Sequence, residues 1–323
     1  MKYCSLGRTG LQVSEIGLGG NTFGPPRLDK ESSIACLRRA EELGVNFIDT
    51  AAIYGEGHSE SFIGEALAGQ RNRWIIATKF NFWKMGPEET PASRVRRQCE
   101  ESLRKLRTET IDLYQMHAHA PTLAMEDILE VLSELVAEGK VRYVGACNFS
   151  SWRHMQALET ARHHGWPEFV SSQNHYNLLH RHVELETLPF CTEENIAFLP
   201  YHPLAGGFLT DKYIKDQPAP PGTRGAAGSP IIKRSRTPRN ETTQDLLKHW
   251  AHAQGHTLSE LAFAWLLHSP QVASVIAGVS SPAQVEANVK SGTWMLSAEQ
   301  RAEVEAIAAW DGSNEPIEMY ITF

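Results

Sequence analysis

The chain alternates between short apolar runs and longer segments in which apolar residues recur every three or four positions. The short runs are rich in Val, Ile and aromatic residues, which is typical of buried strands, and the longer spacing is typical of amphipathic helices. The short runs predict strands at 15–18, 45–48, 74–78, 111–116, 141–146, 169–173, 196–200 and 272–276. The longer spacing predicts helices near 29–43, 58–68, 91–107, 125–138, 151–164, 181–194, 241–267 and 282–291.

Two further elements lie at the ends of this alternation. Residues 2–14 predict a β-hairpin, and a last helix near 297–310 opens with the capping pair Ser297 and Gln300. Strands and helices that alternate through 323 residues predict an α/β protein, a single (β/α)8 TIM barrel with an N-terminal hairpin and an extra C-terminal helix. A doubly wound sheet is the competing fold, but the glycines at positions 17, 19 and 20 lack the GxGxxG spacing that it would need.

The predicted barrel domain takes in residues 1–323, with a long proline-rich loop at about 205–240 as part of it. A net charge of −7 and a pI near 6.1 give no general attraction to nucleic acid or to an anionic membrane. Five scattered cysteines without a CxxC pair indicate reduced thiols, and no signal segment is evident. We therefore expect a cytoplasmic protein with neither nucleic acid nor membrane as a partner.

Polar side chains stand where several of the predicted strands end. Asp49 follows the second strand, Tyr54 comes five residues later on a glycine-rich turn, and Lys79 and His117 end the third and fourth strands. Taken singly, Asp49 suits a turn and Tyr54 suits an ordinary surface position. Together the four would surround one mouth, because the carboxyl ends of barrel strands form the face that carries the chemistry.

This set of side chains could make a tyrosine act as an acid near neutral pH. An unperturbed phenol has a pKa of about 10, which is too high for easy proton donation. A buried ammonium beside the phenol lowers that pKa, a carboxylate keeps the ammonium charged, and an imidazole can hydrogen-bond the reacting oxygen. Such a device protonates the alkoxide that forms from a carbonyl. It requires a hydride donor, which a nicotinamide cofactor would supply.

Histidine pairs raise a metal site as an alternative. His117 and His119 lie on one face of a strand end, but a metal would need a third ligand and supporting contacts. Because Asp49 is expected to engage Lys79, we predict no metal. The remaining pairs fall in helix or loop patterns and are expected at the solvated surface: His163, His164, His180 and His182.

Several motifs resemble those of the aldo-keto reductase family. They are DTAAIYG with GHSE (49–60), ATK (77–79), IDLYQMH (111–117), GACNFS (145–150), PYHPLAGG (200–207) and IAGVSSPAQVEAN (276–288). The segment YNLLHR (176–181) is similar to bacterial reductases akin to the potassium-channel β subunits. The resemblance implies a barrel enzyme that transfers hydride between NADP(H) and an aldehyde or ketone.

The resemblance also implies roles for individual residues. Tyr54 would be the general acid, and Asp49, Lys79 and His117 would complete its tetrad. The implied cofactor residues are, in chain order, Asn148, Gln173, Tyr201, Leu204, Gly206, Lys212, Arg224, Gly278, Ser280, Gln284 and Asn288. The first two would hold the nicotinamide carboxamide and the third would stack on the ring. The next four would lie at the pyrophosphate, and the last four belong to the segment that holds the adenosine end.

Some positions depart from the family pattern. Cys147 replaces a serine before Asn148, and His202 replaces the serine after the stacking aromatic residue. Ser280 and Gln284 stand where relatives have arginine, so the 2′-phosphate of NADP has fewer cationic partners. NADPH is the expected cofactor, and use of NADH stays open.

Aromatic and histidine residues of the loops after the first, third and fourth strands predict an apolar-walled substrate pocket. They are Phe23, Phe80, Phe82, Trp83 and His119. Packing beneath long loops would explain the same residues. A small aldehyde or ketone is the expected substrate. An NADP-binding redox sensor with little turnover is the alternative function, and a homo-oligomer is compatible with the sequence.

Overall fold

The computed structural model describes residues 1–86 and 88–310. Its strands are β1 (Tyr3–Ser5), β2 (Gln12–Ser14), β3 (Ile16–Gly19), β4 (Phe47–Asp49), β5 (Ile75–Phe80), β6 (Ile111–Met116), β7 (Val141–Cys147), β8 (Phe169–His175), β9 (Ala197–Tyr201) and β10 (Val275–Gly278). Its α-helices are α1 (Lys30–Glu42), α2 (Ser59–Ala66), α3 (Pro91–Leu106), α4 (Met125–Ala137), α5 (Ser151–His164), α6 (Thr187–Glu193), α7 (Pro230–Ser235), α8 (Pro238–Ala253), α9 (Leu258–Leu267), α10 (Pro282–Ser291) and α11 (Ala298–Ile307).

Strands β3 to β10 close into a barrel of eight parallel strands in the order β10-β3-β4-β5-β6-β7-β8-β9. This confirms the predicted (β/α)8 TIM barrel. The N-terminal hairpin is confirmed by the antiparallel pairing of β1 with β2, and α11 is the predicted additional helix. The last barrel strand begins three residues later than predicted, because Val272 joins the sheet only through an isolated bridge to Phe198.

The hairpin covers the amino-terminal end of the barrel. Leu6 and Val13 are completely buried there and join an apolar cluster inside the barrel with Phe47, Leu113 and Leu199. A larger cluster lies between the outer faces of the strands and the surrounding helices. The hydroxyl of Tyr143 also donates to the carbonyl of Thr9 at 2.7 Å. The hairpin is therefore packed into the core and closes that end.

A buried carboxylate holds several elements together near the same end. Asp112 lies near the start of β6 and accepts hydrogen bonds from Arg71 at 2.6 Å, from Arg142 at 2.9 Å and from the backbone N–H of Ile76 at 3.0 Å. Only 5% of the Asp112 side chain is exposed. Two guanidinium groups and a backbone amide compensate for the burial of its charge.

Three predicted segments have different boundaries in the structure. The single helix predicted at 241–267 is two helices, α8 and α9, because Gly255 adopts a left-handed φ of +79° and Thr257 starts a new capping box with Glu260. The loop predicted at about 205–240 contains α7, which begins at Pro230. The helix predicted at 181–194 is a 3-10 turn followed by the shorter α6.

The most apolar stretch, residues 261–279, divides between α9 and β10. It changes from helix to strand across the His268–Pro270 interruption that the sequence shows. Within residues 1–86 and 88–310, no helix is both long enough and apolar enough to cross a lipid bilayer.

Candidate active site

Four polar side chains meet at the carboxyl end of the barrel. Asp49 is the last residue of β4, and Lys79 lies in β5, which pairs with β4. The Nζ atom of Lys79 is 2.6 Å from Oδ2 of Asp49 and 3.5 Å from the hydroxyl of Tyr54. The ring of His117 lies edge-on to that of Tyr54, with 5.7 Å between ring centroids. The four residues that the sequence predicts at one mouth are therefore neighbours in space.

The turn that carries Tyr54 depends on a glycine. Tyr54 opens a 3-10 turn that ends at Gly57, and Gly55 adopts a left-handed φ of +56°. A Cβ atom on Gly55 would overlap the carbonyl oxygen of Phe23 in the loop after β3. Only glycine permits both the conformation and the close approach. The contact between these two loops fixes where the phenol enters the mouth.

Lys79 is fully buried and paired with a carboxylate. Burial is the largest single influence and lowers the pKa of Lys79, but its neighbours, Asp49 first and then Tyr54 and Cys147, together raise it by more, and the pKa lies above its ordinary value. The ammonium also donates to the carbonyl of Thr50 at 3.0 Å. A buried ammonium is tolerated only when it is paired and hydrogen-bonded in this way. Lys79 is therefore a fixed positive charge beside the phenol.

The phenol of Tyr54 is a weaker acid than the sequence suggested. Burial raises the pKa of Tyr54 to about 12, Lys79 opposes this rise, and Asp49 adds to it. The expectation of a lowered pKa is wrong for the net value, although Lys79 acts in the expected direction. Sequence reasoning counted the ammonium but could not weigh the burial. At neutral pH the phenol keeps its proton, and its side chain is partly accessible from the mouth.

His117 is neutral in this arrangement. Burial, followed by the charge of Lys79, places the pKa of His117 well below its ordinary value. Its Nδ1 atom is buried and makes no hydrogen bond with the described residues. Trp83 packs against the imidazole with 5.0 Å between ring centroids. A neutral imidazole at this position can donate one hydrogen bond to an oxygen bound in the mouth.

Two buried glutamines hold the second oxygen of Asp49. Its Oδ1 atom accepts from Nε2 of Gln173 at 2.8 Å and from Nε2 of Gln115 at 3.1 Å. Sequence reasoning missed Gln115. The signal was present, because residues two apart in a strand share a face. Leu113 faces the barrel interior, so Gln115 follows it on the side that leads to His117.

The residues expected at the carboxamide are linked to the tetrad by a continuous set of hydrogen bonds. The hydroxyl of Tyr201 donates to Oδ1 of Asn148 at 2.7 Å, and Nδ2 of Asn148 lies 3.2 Å from Sγ of Cys147. The Cys147 thiol contacts Oε1 of Gln173 at 3.6 Å, and Gln173 donates to Asp49. Burial raises the pKa of Cys147 to about 12, so its thiol is a donor.

The loop after β9 brings the expected pyrophosphate residues to the same end of the barrel. Leu204 precedes a turn in which Gly206 has a left-handed φ of +71°, and a Cβ on Gly206 would lie 2.7 Å from Ile231. The guanidinium of Arg224 makes no hydrogen bond or ion pair with the described residues. Burial lowers the pKa of Arg224, and Arg27 adds to the effect. An unpaired, shielded guanidinium suits an anionic ligand. Lys212 is exposed beyond this turn.

The segment after β10 contributes the remaining expected cofactor residues. Ser281 caps α10, and Oε1 of Gln284 accepts from the N–H of Ser280 at 2.8 Å. Asn288 lies in the second turn of α10 and is 9% exposed. A Cβ on Gly278 would lie 2.8 Å from Oδ1 of Asn21, an oxygen that is buried without a hydrogen-bond partner among the described residues. The open glycine and the unpaired amide oxygen fit a bound polar ligand such as a dinucleotide.

The expected substrate residues divide into two groups. Phe23 and Phe80 are completely buried in the outer core, where Phe80 packs against Tyr114 at 4.9 Å between ring centroids. Trp83 and His119 are partly exposed. Trp83 lies against His117 of the tetrad, and the Arg94 guanidinium donates to its carbonyl oxygen at 2.7 Å. Trp83 therefore stands on the open side of the tetrad.

The expectation of solvated histidines is right for one pair and wrong for the other. His163 and His164 are exposed, but His180 and His182 are partly buried. The ring of His180 stacks on His175 with 3.9 Å between centroids, and burial lowers the pKa of His180 to about 3. The reason is that β8 runs to His175, two residues past the prediction. In the described part of the chain, no three His, Cys, Asp or Glu side chains converge as metal ligands would.

A parallel barrel whose mouth joins a carboxylate, an ammonium, a phenol and an imidazole is the architecture of a class of barrel oxidoreductases. The model of the Aldo/keto reductase family matches residues 15–309. The chain is 32% identical to the aldo-keto reductase YhdN of Bacillus subtilis (strain 168) over 316 residues, which cover 95% of this chain and 93% of that protein. The chain belongs to the aldo/keto reductase family, so the resemblance drawn from the motifs is confirmed.

Two further similarities agree with this assignment. The chain is 33% identical over 300 residues to a Schizosaccharomyces pombe protein named as a voltage-gated potassium channel subunit beta, covering 88% of this chain and 86% of that one. Among solved structures it is similar to the aldo-keto reductase AKR11C1 from Bacillus halodurans in its holo form. The TM-score is 0.78 at 29% identity, over 95% of this chain and 96% of that chain. Family and fold together support oxidoreductase activity.

Proposed function

We propose that this chain reduces aldehydes or ketones to alcohols with NADPH, and that Tyr54 is the general acid. The observation that carries the proposal is the position of the Lys79 ammonium, 2.6 Å from Asp49 and 3.5 Å from the Tyr54 hydroxyl. An ammonium fixed beside a phenol stabilises the phenolate that remains after proton donation. A purely structural ion pair would not need a partly accessible tyrosine next to it.

Each residue of the tetrad would have its own role in the protonation of the carbonyl oxygen. Tyr54 holds its proton at neutral pH and would give it to the oxygen as negative charge develops there. Lys79 would stabilise the phenolate, and Asp49 would keep Lys79 charged and in place. His117 is neutral and would donate a hydrogen bond to the same oxygen. A bound dihydronicotinamide would supply the hydride.

The chain's own groups suit the two ends of such a cofactor. Asn148 and Gln173 would orient the carboxamide, and Tyr201 would offer its ring as a stacking surface. Arg224 would pair with phosphate oxygens, since its guanidinium has no partner among the described residues. The N-terminal turn of α10, after the open backbone at Gly278, would receive the adenosine end. The remaining proposed contacts come from Leu204, Gly206, Lys212, Ser280, Gln284 and Asn288.

The substrate pocket would be walled by aromatic residues and carry few polar anchors. Trp83 and His119 are the partly exposed members of the predicted set, and Trp83 contacts the imidazole of His117. Burial and the charge of Arg153 lower the pKa of His119, so its ring is uncharged at neutral pH. An uncharged aromatic wall favours a small, apolar aldehyde or ketone.

The S. pombe relative is named as a channel subunit, and this name supports a second candidate function. In that function the protein is a sensor that binds NADP and catalyses little carbonyl reduction. The two functions share every cofactor contact and differ in turnover. The proposed acid is tested by measuring NADPH oxidation with 4-nitrobenzaldehyde in the wild-type protein and in Tyr54→Phe. We expect the variant to lose roughly 10²- to 10⁴-fold in kcat, because the general acid is removed.

A matched control removes a phenol elsewhere. Tyr3 is half exposed on the hairpin, and its hydroxyl donates to the carbonyl of Gly44 at the opposite end of the barrel. Tyr3→Phe should keep the wild-type rate. Both variants should quench their tryptophan fluorescence on binding NADPH as the wild type does. If Tyr54→Phe turns over at the wild-type rate, Tyr54 is not the acid. If the wild type binds NADPH without turning over a panel of carbonyl compounds, the sensor function replaces the enzyme.

A further inference from the structure

The contacts of Asp49 are divided between its two oxygens. Oδ2 faces the Lys79 ammonium at 2.6 Å. Oδ1 faces away from the lysine and accepts from the amide groups of Gln173 at 2.8 Å and Gln115 at 3.1 Å. Asp49 is 3% exposed, Gln173 is 2% exposed and Gln115 is completely buried. No solvent is available to replace a lost donor, so each amide contributes to the orientation of the carboxylate.

The two glutamines differ in their other contacts. Gln173 accepts from the Cys147 thiol, which lies next to Asn148, and so it belongs to the hydrogen-bonded set that the proposed carboxamide would join. Gln115 has one side-chain hydrogen bond among the described residues, and it goes to Asp49. Its Oε1 atom is buried without a partner. The amide of Gln115 is thus committed to Asp49 and is independent of the proposed cofactor contacts.

We propose that Gln115 is a positioning residue for the proton donor: it orients Asp49 toward Lys79 and thereby tunes the acidity of Tyr54. This inference rests on the proposed function. A hydrogen bond from an uncharged amide draws part of the carboxylate charge away from the phenol. Without that bond, Asp49 can rotate away from Lys79, and its full charge acts on Tyr54. The phenol then becomes a weaker acid and donates its proton more slowly.

The ionisable side chains next to the Asp49 carboxylate and the Tyr54 phenol are those of Lys79, His117 and Cys147. Lys79 lies on β5, His117 follows β6 and Cys147 ends β7. His117 is neutral and Cys147 is protonated at neutral pH, for the reasons given above. Lys79 keeps its charge in the same range. A change in the pH profile that follows substitution of Gln115 therefore reports the Asp49–Lys79–Tyr54 group.

The test compares Gln115→Met with Gln115→Glu. Methionine has a similar length and lacks the donor, so kcat should fall roughly 10- to 100-fold, a part of the factor that a general acid contributes. The dissociation constant for NADPH, measured by fluorescence quenching, should stay within about twofold, because the amide does not belong to the proposed cofactor contacts. Gln173→Met should change both quantities.

Gln115→Glu distinguishes an effect on the acidity of Tyr54 from a loss of packing. A glutamate carboxyl can donate to Asp49 only while it is protonated. Gln115→Glu should therefore approach the wild-type rate at low pH and lose activity as the pH rises, whereas the wild type keeps its rate there. A matched control is Asn46→Leu, which removes a side-chain amide that bonds Ser14 and Gln12 at the opposite end of the barrel. Its pH profile should match the wild type.

A second measurement does not depend on turnover. Tyrosine labelled with ¹³C at Cζ, with the Tyr54 signal assigned from Tyr54→Phe, reports the titration of this phenol by NMR. Because the wild-type phenol has a pKa of about 12, Gln115→Met should contain less phenolate than the wild type at the highest pH at which both proteins stay folded. An unchanged Tyr54 titration, or a Gln115→Glu variant without the pH-dependent recovery, would overturn the role of Gln115. If Gln115→Met shows the phenol shift but the wild type reduces no carbonyl compound, the proposed function alone is overturned.

Discussion

His154 is a histidine that the fold keeps uncharged, and this gives a sharp prediction for stability. It lies in the first turn of α5, is 1% exposed, and has the rings of Phe149, Phe169 and Phe190 within about 6 Å of its own. Neither ring nitrogen has a hydrogen-bond partner among the described residues. Burial, and to a smaller degree Arg8, lowers the pKa of His154 from 6.5 to about 3.

The sign of the pH dependence follows from this lowered pKa. The unfolded chain binds a proton at His154 below about pH 6.5, whereas the folded chain does not until about pH 3. The contribution of neutral His154 to the free energy of unfolding is therefore fully present above about pH 6.5 and is lost as the pH falls below that value. The loss is about 1.4 kcal/mol per pH unit, so between about pH 7.5 and about pH 5 it reaches about 2 kcal/mol. A folded pKa of about 4 instead of 3 would leave this figure unchanged.

The assay is urea unfolding at the two pH values, in the wild type and in His154→Leu. The free energy of unfolding should fall by about 2 kcal/mol more in the wild type than in the variant. The double difference cancels the contributions of all other titrating groups. Phe190→Leu, a neighbour without a titratable group, should lose the same free energy at both pH values. Parallel pH curves for the wild type and His154→Leu would show that the histidine is not held neutral, and the reasoning would fail.

Two further predictions concern the amino-terminal network and the cofactor preference. Asp112→Asn removes the charge that pairs with Arg71 and Arg142, and it should lower the free energy of unfolding by about 2–3 kcal/mol in the same urea assay, because the carboxylate is almost completely buried. Breaking the Arg39–Glu286 pair should lower the free energy of unfolding much less, because this pair lies at the solvated surface, and equal losses would contradict the argument. Gln284→Arg should raise the ratio of kcat/KM for NADPH over NADH about tenfold or more by adding a cation for the 2′-phosphate; an unchanged ratio would place that phosphate elsewhere.

The sequence alone was sufficient to predict the barrel architecture and the convergence of the four tetrad residues. Strand and helix periods alternate clearly, and parallel strands of a closed barrel bring their carboxyl ends together, so Asp49, Lys79 and His117 had to converge. Their relative positions follow from topology alone. The order of the strands in the barrel needed no knowledge of side-chain packing.

Other features depend on quantities that a linear pattern does not contain. Whether the phenol of Tyr54 has a raised or lowered pKa depends on the balance between burial and the Lys79 charge, which requires the packed structure. The strand period places Gln115 on the same face as His117, but only the register of β6 shows that its amide meets Asp49. His180 looked solvated because the extension of β8 to His175, and the turn back over it, is a tertiary feature.

The hairpin packed into the floor of the barrel has a consequence for the proposed reaction. Apolar side chains of the hairpin and of the strands fill the interior of the barrel, so a ligand can reach the tetrad only from the carboxyl end. Under the proposed function, the nucleotide and the carbonyl compound would therefore enter and leave through the same face of the molecule. The packing that closes one end of the barrel leaves the loops of the other end to bind both.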